Sequence, residues 1–189
     1  MEYAGTVADA ARRFSEMITN ILKLNKLENQ QIFPEAQRYN LGEQLCECLL
    51  AFENTWEQKE LGLDIQIEED VLVEADRELL NLVWNNLFSN AMKFTPPCGR
   101  VAVRLETDNA DAVVTVTDTG CGMSRETGQH IFEKFYQGDA SHGTQGNGLG
   151  LALVKRIIDI TGAEISVTSE LGKGSCFTVR FGRIENGGA

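Results

Sequence analysis

Asn86, Asn90 and Lys93 recur at steps of four and three, which sets them on one stripe of a helix. An amide carbonyl is a hard, neutral oxygen suited to Mg²⁺, and a lysine ammonium is a compact charge suited to phosphate. Further along, Val113-Val-Thr-Val-Thr-Asp118 is a strand-like run that ends in a carboxylate, followed by Gly120 and Gly122. An ionised carboxylate only accepts hydrogen bonds, so it fits a donor such as an adenine amino group. The glycines remove Cβ atoms and let a flat ring approach the backbone. Ile131-Phe-Glu-Lys-Phe-Tyr136 comes next, and then Gly146-Asn-Gly-Leu-Gly150 opens a helix. Free N–H groups at a helix start favour anions such as phosphate. Metal ligand, adenine acceptor and phosphate turn are the parts of an ATP site.

Each part alone has an ordinary reading. A polar stripe is the usual flank of an amphipathic helix, and Asp-x-Gly-x-Gly is often a plain turn. The glycine segment is not the Rossmann spacing, because residue 151 is Leu, and no Gly-Lys-Ser/Thr P-loop exists. What raises the signal is four motifs in one order.

The elements that must position these groups follow from periodicity. A helix is expected over 77–93, with Leu79, Leu80, Val83, Trp84, Leu87 and Ala91 on one broad face and the Asn86–Asn90–Lys93 stripe at its edge. Pro96-Pro97 stops it. Strands are expected over 63–67, 71–74, 100–106, 112–118, 164–169 and 176–181, and helices over 41–60 and 149–161, with a turn at Gly172-Lys-Gly174. Grouped runs of helices and strands predict an α+β two-layer sandwich, not a doubly wound sheet. Gln137–Asn147, with Gly138 and Gly143, reads as a lid that orders over nucleotide, hinged by Ile131, Phe132, Phe135 and Tyr136. Val7, Ala10, Phe14, Met17, Ile21 and Leu24 form a heptad seam that fits either a partner helix or the chain's own domain.

Composition narrows the function. The formal charge of −11 argues against a nucleic-acid partner, since a phosphate backbone demands a basic surface. No run approaches the roughly 20 apolar residues of a membrane span, and the N-terminus lacks a signal-peptide pattern, so no membrane contact is expected of these residues. The five cysteines are odd in number and scattered, and are read as reduced thiols in a cytoplasmic setting. His130 and His142 stand in no ligand cluster and are read as packing or solvated residues.

The four motifs resemble the N, G1, F and G2 boxes of the catalytic ATP-binding domain of sensor histidine kinases, the Bergerat or GHKL fold, over roughly 38–181. The resemblance implies that Asn90 coordinates Mg²⁺ and that Asn86 and Lys93 serve the phosphate side and catalysis. It implies Asp118 for adenine, and Gly120, Gly122, Gly146, Gly148 and Gly150 for the turns. Phe135, Leu149 and Ser175 complete the implied ATP-binding set. Residues 12–28 resemble the second helix of the dimerisation bundle, ending in Leu27-Glu28. The implied organisation is a partial bundle helix over 1–35, the ATP-binding domain over 36–184 and a flexible tail over 185–189.

The implied activity is transfer of the γ-phosphate of Mg-ATP to a histidine on a dimerisation helix expected before Met1, with a response regulator downstream. A weak homodimer through residues 7–28 is also expected, and a bacterial parent anchored in the cell membrane. Position 86 bears on the rival within the superfamily. Gyrase-type, mismatch-repair and heat-shock chaperone ATPases carry a water-activating Glu there, whereas an amide is no general base near neutral pH. A second rival is a degenerate nucleotide-binding scaffold. It draws on Gln137, where the family often has a basic residue.

Overall fold

The structure, a computed structural model, describes residues 2–29, 34–109, 111–138 and 147–182, with the side chains of residues 2–10, 12, 13 and 16 left aside. In chain order the elements are α1 (Glu2–Glu28), β1 (Gln37–Asn40), α2 (Leu41–Leu50), α3 (Glu53–Gln58), β2 (Gly62–Ile67), β3 (Leu72–Ala75) and α4 (Arg77–Phe94). There follow β4 (Arg100–Asp108), β5 (Asp111–Asp118), α5 (Arg125–His130), α6 (Gly150–Thr161), β6 (Glu164–Glu170) and β7 (Gly174–Gly182). Five strands form one sheet in the order β2-β4-β5-β7-β6, with β2 parallel to β4 and every other pairing antiparallel. Helices α4 and α6 lie together on one face of that sheet, as the expected two-layer α+β sandwich requires.

Alternation builds the sheet's inner face. Val101, Val103 and Leu105 on β4, Ala112, Val114 and Val116 on β5, and Phe177 and Val179 on β7 are buried. Trp84, Leu87, Phe88 and Met92 of α4 and Leu153, Ile157 and Ile158 of α6 close over them. Asp76 caps α4 by accepting from the Leu79 N–H at 2.9 Å. Gly162, at φ 69°, ends α6 in the left-handed conformation that Gly tolerates best.

One buried amide ties α2 and β1 to α4. Gln44 is fully buried, and its Nε2 donates to Arg77 O and Asn81 Oδ1, both at 2.7 Å. Its Oε1 accepts from Tyr39 Oη at 2.8 Å and Trp84 Nε1 at 3.1 Å. All four of its bonding positions are used, so its burial carries no desolvation penalty left unmet. Cys48 donates to Asn81 Oδ1 at 3.3 Å, and burial pushes its thiol up to about 11. All five cysteines are free thiols, as expected.

Two expectations are corrected. The single helix over 41–60 is two helices, broken at Ala51-Phe52, where Phe52 leaves helical geometry at φ −104°, ψ 9°. Leu45, Leu49, Phe52 and Trp56 keep helical spacing across the break and pack on the core, so periodicity hides it. The short strand β1 was not expected. It pairs antiparallel with β3, while β2, although close in sequence to β3, joins the large sheet.

Helix α1 does not stand alone. Leu24 and Leu27 are buried in the domain core, Met17 packs against it, and Arg156 of α6 donates to Leu27 O at 3.0 Å. Lys134 meets Glu28 at 2.5 Å. Phe14, Ile18, Ile21 and Leu22 stay exposed, so the predicted seam divides: Met17 and Leu24 face the domain, while Phe14 and Ile21 do not. Among the described residues no helix is long and apolar enough to cross a membrane.

Candidate nucleotide-binding site

The stripe on α4 forms as its spacing dictates. Asn86 is partly buried, and its Nδ2 donates to Leu82 O at 2.7 Å within the helix. Its Oδ1 lies against the start of α6, where a Cβ on Gly150 would come within 2.5 Å of it. The glycine turn and the N-terminal end of α6 therefore abut the stripe directly. One turn on, Asn90 is partly exposed, and its amide makes no hydrogen bond among the described residues. Lys93 places its ammonium 5.0 Å from the centre of the Phe94 ring.

Asp118 ends β5 and is buried, with the residue 7% exposed. The Gly120 N–H donates to Oδ1 at 2.8 Å. Burial pushes this carboxyl above the usual range, while backbone N–H groups of Gly120 and Ser175 pull it partway back. The glycines around it are sterically required. A Cβ on Gly120 would meet Asp118 Oδ1 at 2.6 Å and Phe94 O at 2.7 Å. Gly122, at φ 62°, packs its Cα on Glu170 O of the β6–β7 turn. Ser175 is paired with Asp118 across the β5–β7 ladder, and its hydroxyl lies 3.1 Å from that of Ser169.

The glycine turn before α6 is built by backbone. Phe135, at φ 62°, donates its N–H to Gly148 O at 2.8 Å, and Gly148, at φ 65°, leaves no room for a Cβ against the Phe135 main chain. Leu149 is buried, and its N–H is held by Asn147 Oδ1 at 3.2 Å. Ile131 is buried and Phe132 packs on the core, as hinge residues should. Phe135 departs from that expectation. Its side chain is 57% exposed, and its main chain makes the anchor. His130 holds Glu133 Oε1 at 2.7 Å and lies 5.4 Å from the Tyr136 ring, a surface packing role. Gly146, His142, Gly143 and most of the expected lid fall outside the described residues.

Asn86, Asn90, Asp118, Gly120, Gly148, Leu149 and Gly150 thus sit on three converging segments: the C-terminal half of α4, the end of β5 and the start of α6. Among the described residues no group of three His, Cys, Asp or Glu side chains could hold a metal. An Mg²⁺ ion here would draw most of its oxygen ligands from a bound polyphosphate or water. Asn90, whose amide is uncommitted within the described chain, supplies a neutral oxygen of the right hardness. Sequence reasoning missed Thr119, whose Oγ1 accepts the Arg100 N–H at 2.9 Å, and Ser169, whose Oγ accepts the Met123 N–H at 2.8 Å. Both fasten the loop that follows β5, and isolated hydroxyl residues give no periodic signal.

The model of the family "Histidine kinase-, DNA gyrase B-, and HSP90-like ATPase" matches residues 75–184, more than half of the chain. The chain belongs to this ATPase family. Its relatives place it in the histidine kinase branch. It is 35% identical over 187 residues to the circadian input-output histidine kinase CikA of Synechococcus elongatus, covering 94% of this chain and 24% of that kinase. The chain therefore spans about a quarter of that relative's length. Among solved structures, the catalytic domain of the histidine kinase ThkA matches with 28% identity and a TM-score of 0.71, over 79% of this chain and 96% of that one. ThkA is also seen in complex with the response regulator protein TrrA. Full-length ShkA in complex with AMPPNP shares the fold at 24% identity, with a TM-score of 0.83 over 96% of this chain and 38% of that one. Motifs expected to build an ATP site lie on a sensor-kinase ATPase domain.

Proposed function

We propose that this domain binds Mg-ATP and donates the γ-phosphate to a histidine on a dimerisation helix, as the catalytic part of a two-component sensor histidine kinase. Asn86 carries the reading. Its side chain donates to Leu82 O and lies against Gly150, and an amide cannot take a proton from water near neutral pH. A pocket without a base at that place favours holding ATP for an outside nucleophile over hydrolysing it.

In this reading Asp118 accepts the adenine amino group, and Gly120 and Gly122 admit the ring. The backbone of Gly148, Leu149 and Gly150 cradles phosphate, with Gly146 on the preceding loop. Lys93 offsets phosphate charge, and Phe135, Leu149 and Ser175 line the site. Asn90 would hold Mg²⁺, which when bound spreads the negative charge of the triphosphate. The attacking imidazole nitrogen takes the γ-phosphoryl group, and ADP leaves. Residues 1–35 serve as part of the bundle, 36–184 as the ATP-binding domain and 185–189 as a tail. A response regulator receives the phosphoryl group, and the work is done on the cytoplasmic side of a bacterial cell, in a parent held at its membrane.

The test supplies a helical bundle bearing an acceptor histidine in trans, with labelled ATP and Mg²⁺. Acid-labile label should appear on the bundle, and this 189-residue chain alone should stay unlabelled. Brisk phosphate release without the acceptor would sink the reading in favour of an ATP-hydrolysing relative.

A further inference from the structure

The last turn of α4 carries Lys93 and follows Asn90, yet its sequence cannot close its own hydrogen bonds. In a helix the last carbonyls lack intrahelical partners unless the following residues supply N–H groups. Ala91 O is served by the Thr95 N–H at 3.1 Å and by Thr95 Oγ1 at 2.6 Å. Met92 O and Lys93 O would next look to residues 96 and 97. Both are proline, with no N–H to give.

Lys59, at the C-cap of α3, fills the gap. Its Nζ donates to Met92 O at 2.7 Å, Lys93 O at 3.0 Å and Thr95 O at 2.8 Å, using all three donors of the ammonium. A cation at a helix C-terminus is also favoured by the macrodipole. The same residue's carbonyl accepts the Cys98 N–H at 2.9 Å, so Lys59 grips the turn from both sides of its length. That grip reaches the adenine side as well, because Phe94 O, inside the clamped turn, lies where a Cβ on Gly120 would collide with it.

We propose that Lys59 is a positioning residue for the triphosphate half of the nucleotide site: it fixes the last turn of α4, and with it Asn90 and Lys93, against the Asp118–Gly120 loop. It touches no nucleotide itself. This rests on the site reading above. The adenine loop has independent fastenings in Asp118 with Gly120 and in Thr119 with Arg100, so losing the ammonium should fall mainly on the phosphate side.

The experiment measures binding of AMPPNP with Mg²⁺, and of adenosine, by calorimetry on the whole chain. Lys59→Met keeps the apolar stem and removes the ammonium. It should weaken AMPPNP by about tenfold, near the scale of losing a charged hydrogen bond, and adenosine by less than about twofold. Lys59→Arg, which keeps a cation but offers a planar fork, should recover part of the AMPPNP loss and carries the same test if the methionine variant does not fold. A variant that lowers the melting temperature but leaves the ratio of the two affinities unchanged would overturn the positioning role and leave the site reading standing. Failure of the wild-type chain to bind AMPPNP would overturn both.

Discussion

Asp118 is held under opposing demands. The carboxylate is the acceptor an adenine amino group needs, yet burial disfavours its charge in the unliganded chain. Its folded-state pKa lies above the unfolded one, so its contribution to stability is fullest below the unfolded value and is lost as pH rises through the folded one. At neutral pH the ionised group therefore works against the fold. Asp118→Asn should make the unliganded protein melt slightly higher at pH 7, with the gain vanishing in acid. The same change should weaken ATP-analogue binding by about 1.5–3 kcal/mol, the scale of a hydrogen bond to a charged group. Calorimetry and melting curves on one variant read both signs, and equal nucleotide affinity would remove Asp118 from the site. Gly150→Ala is the steric counterpart. A Cβ 2.5 Å from Asn86 Oδ1 must push that amide aside, and binding should fall by about tenfold or more while α6, a helix that favours Ala over Gly in its interior, stays formed by circular dichroism.

At the scale of elements, period decided what could be read. The helix over 77–93 and the strands over 100–106 and 112–118 come out within two residues of their observed ends, because each has one buried face and a clear stop. The break between α2 and α3 leaves the apolar spacing intact, and β1 is four residues long with its partner more than thirty residues away, so neither leaves a local trace. Candidate site residues carried on regular elements or tight glycine turns stood where their spacing put them. Thr119, Ser169 and Lys59 gave no such signal, because their roles depend on which backbone groups tertiary packing brings near them. The docking of α1 belongs to this scale too. Leu27 is 1% exposed and its carbonyl takes Arg156, while Glu28 meets Lys134 in the segment that leads to Phe135. Leu27→Ala should cost about 2–4 kcal/mol, the range for emptying a buried leucine site. Glu28→Lys, at a half-exposed pair, should cost under about 1 kcal/mol. Urea titration of both variants checks the contrast, and equal costs would mean that α1 is not packed as described.

Taken as a whole, the molecule is an ATPase-family domain with a long helix docked through its C-terminal part. Heptad spacing indicated that α1 wanted a partner but could not say which residues would face it. Docking takes Met17 and Leu24, while among the described side chains Phe14, Ile18, Ile21 and Leu22 lie open at steps of four, three and one. Burying one large apolar side chain is worth roughly 1.5–3 kcal/mol, and these four are already partly covered by their own helix, so two copies pairing along this face would recover on the order of 10 kcal/mol. Lost freedom on association offsets about 4–15 kcal/mol. Where the lost freedom sits near the low end of that range, a net of about 4–6 kcal/mol remains, which predicts a weak dimer with Kd from about tens of micromolar to millimolar. Sedimentation over a concentration series should show it. Phe14→Lys with Ile21→Lys should give monomers at every concentration, because two ammonium groups cannot be buried face to face without partners. AMPPNP affinity should stay within about twofold in that variant, since both substituted side chains face away from the domain and the candidate site lies on α4, β5 and α6. A wild-type chain that stays monomeric at the highest concentration would leave the open face for a different helix to cover.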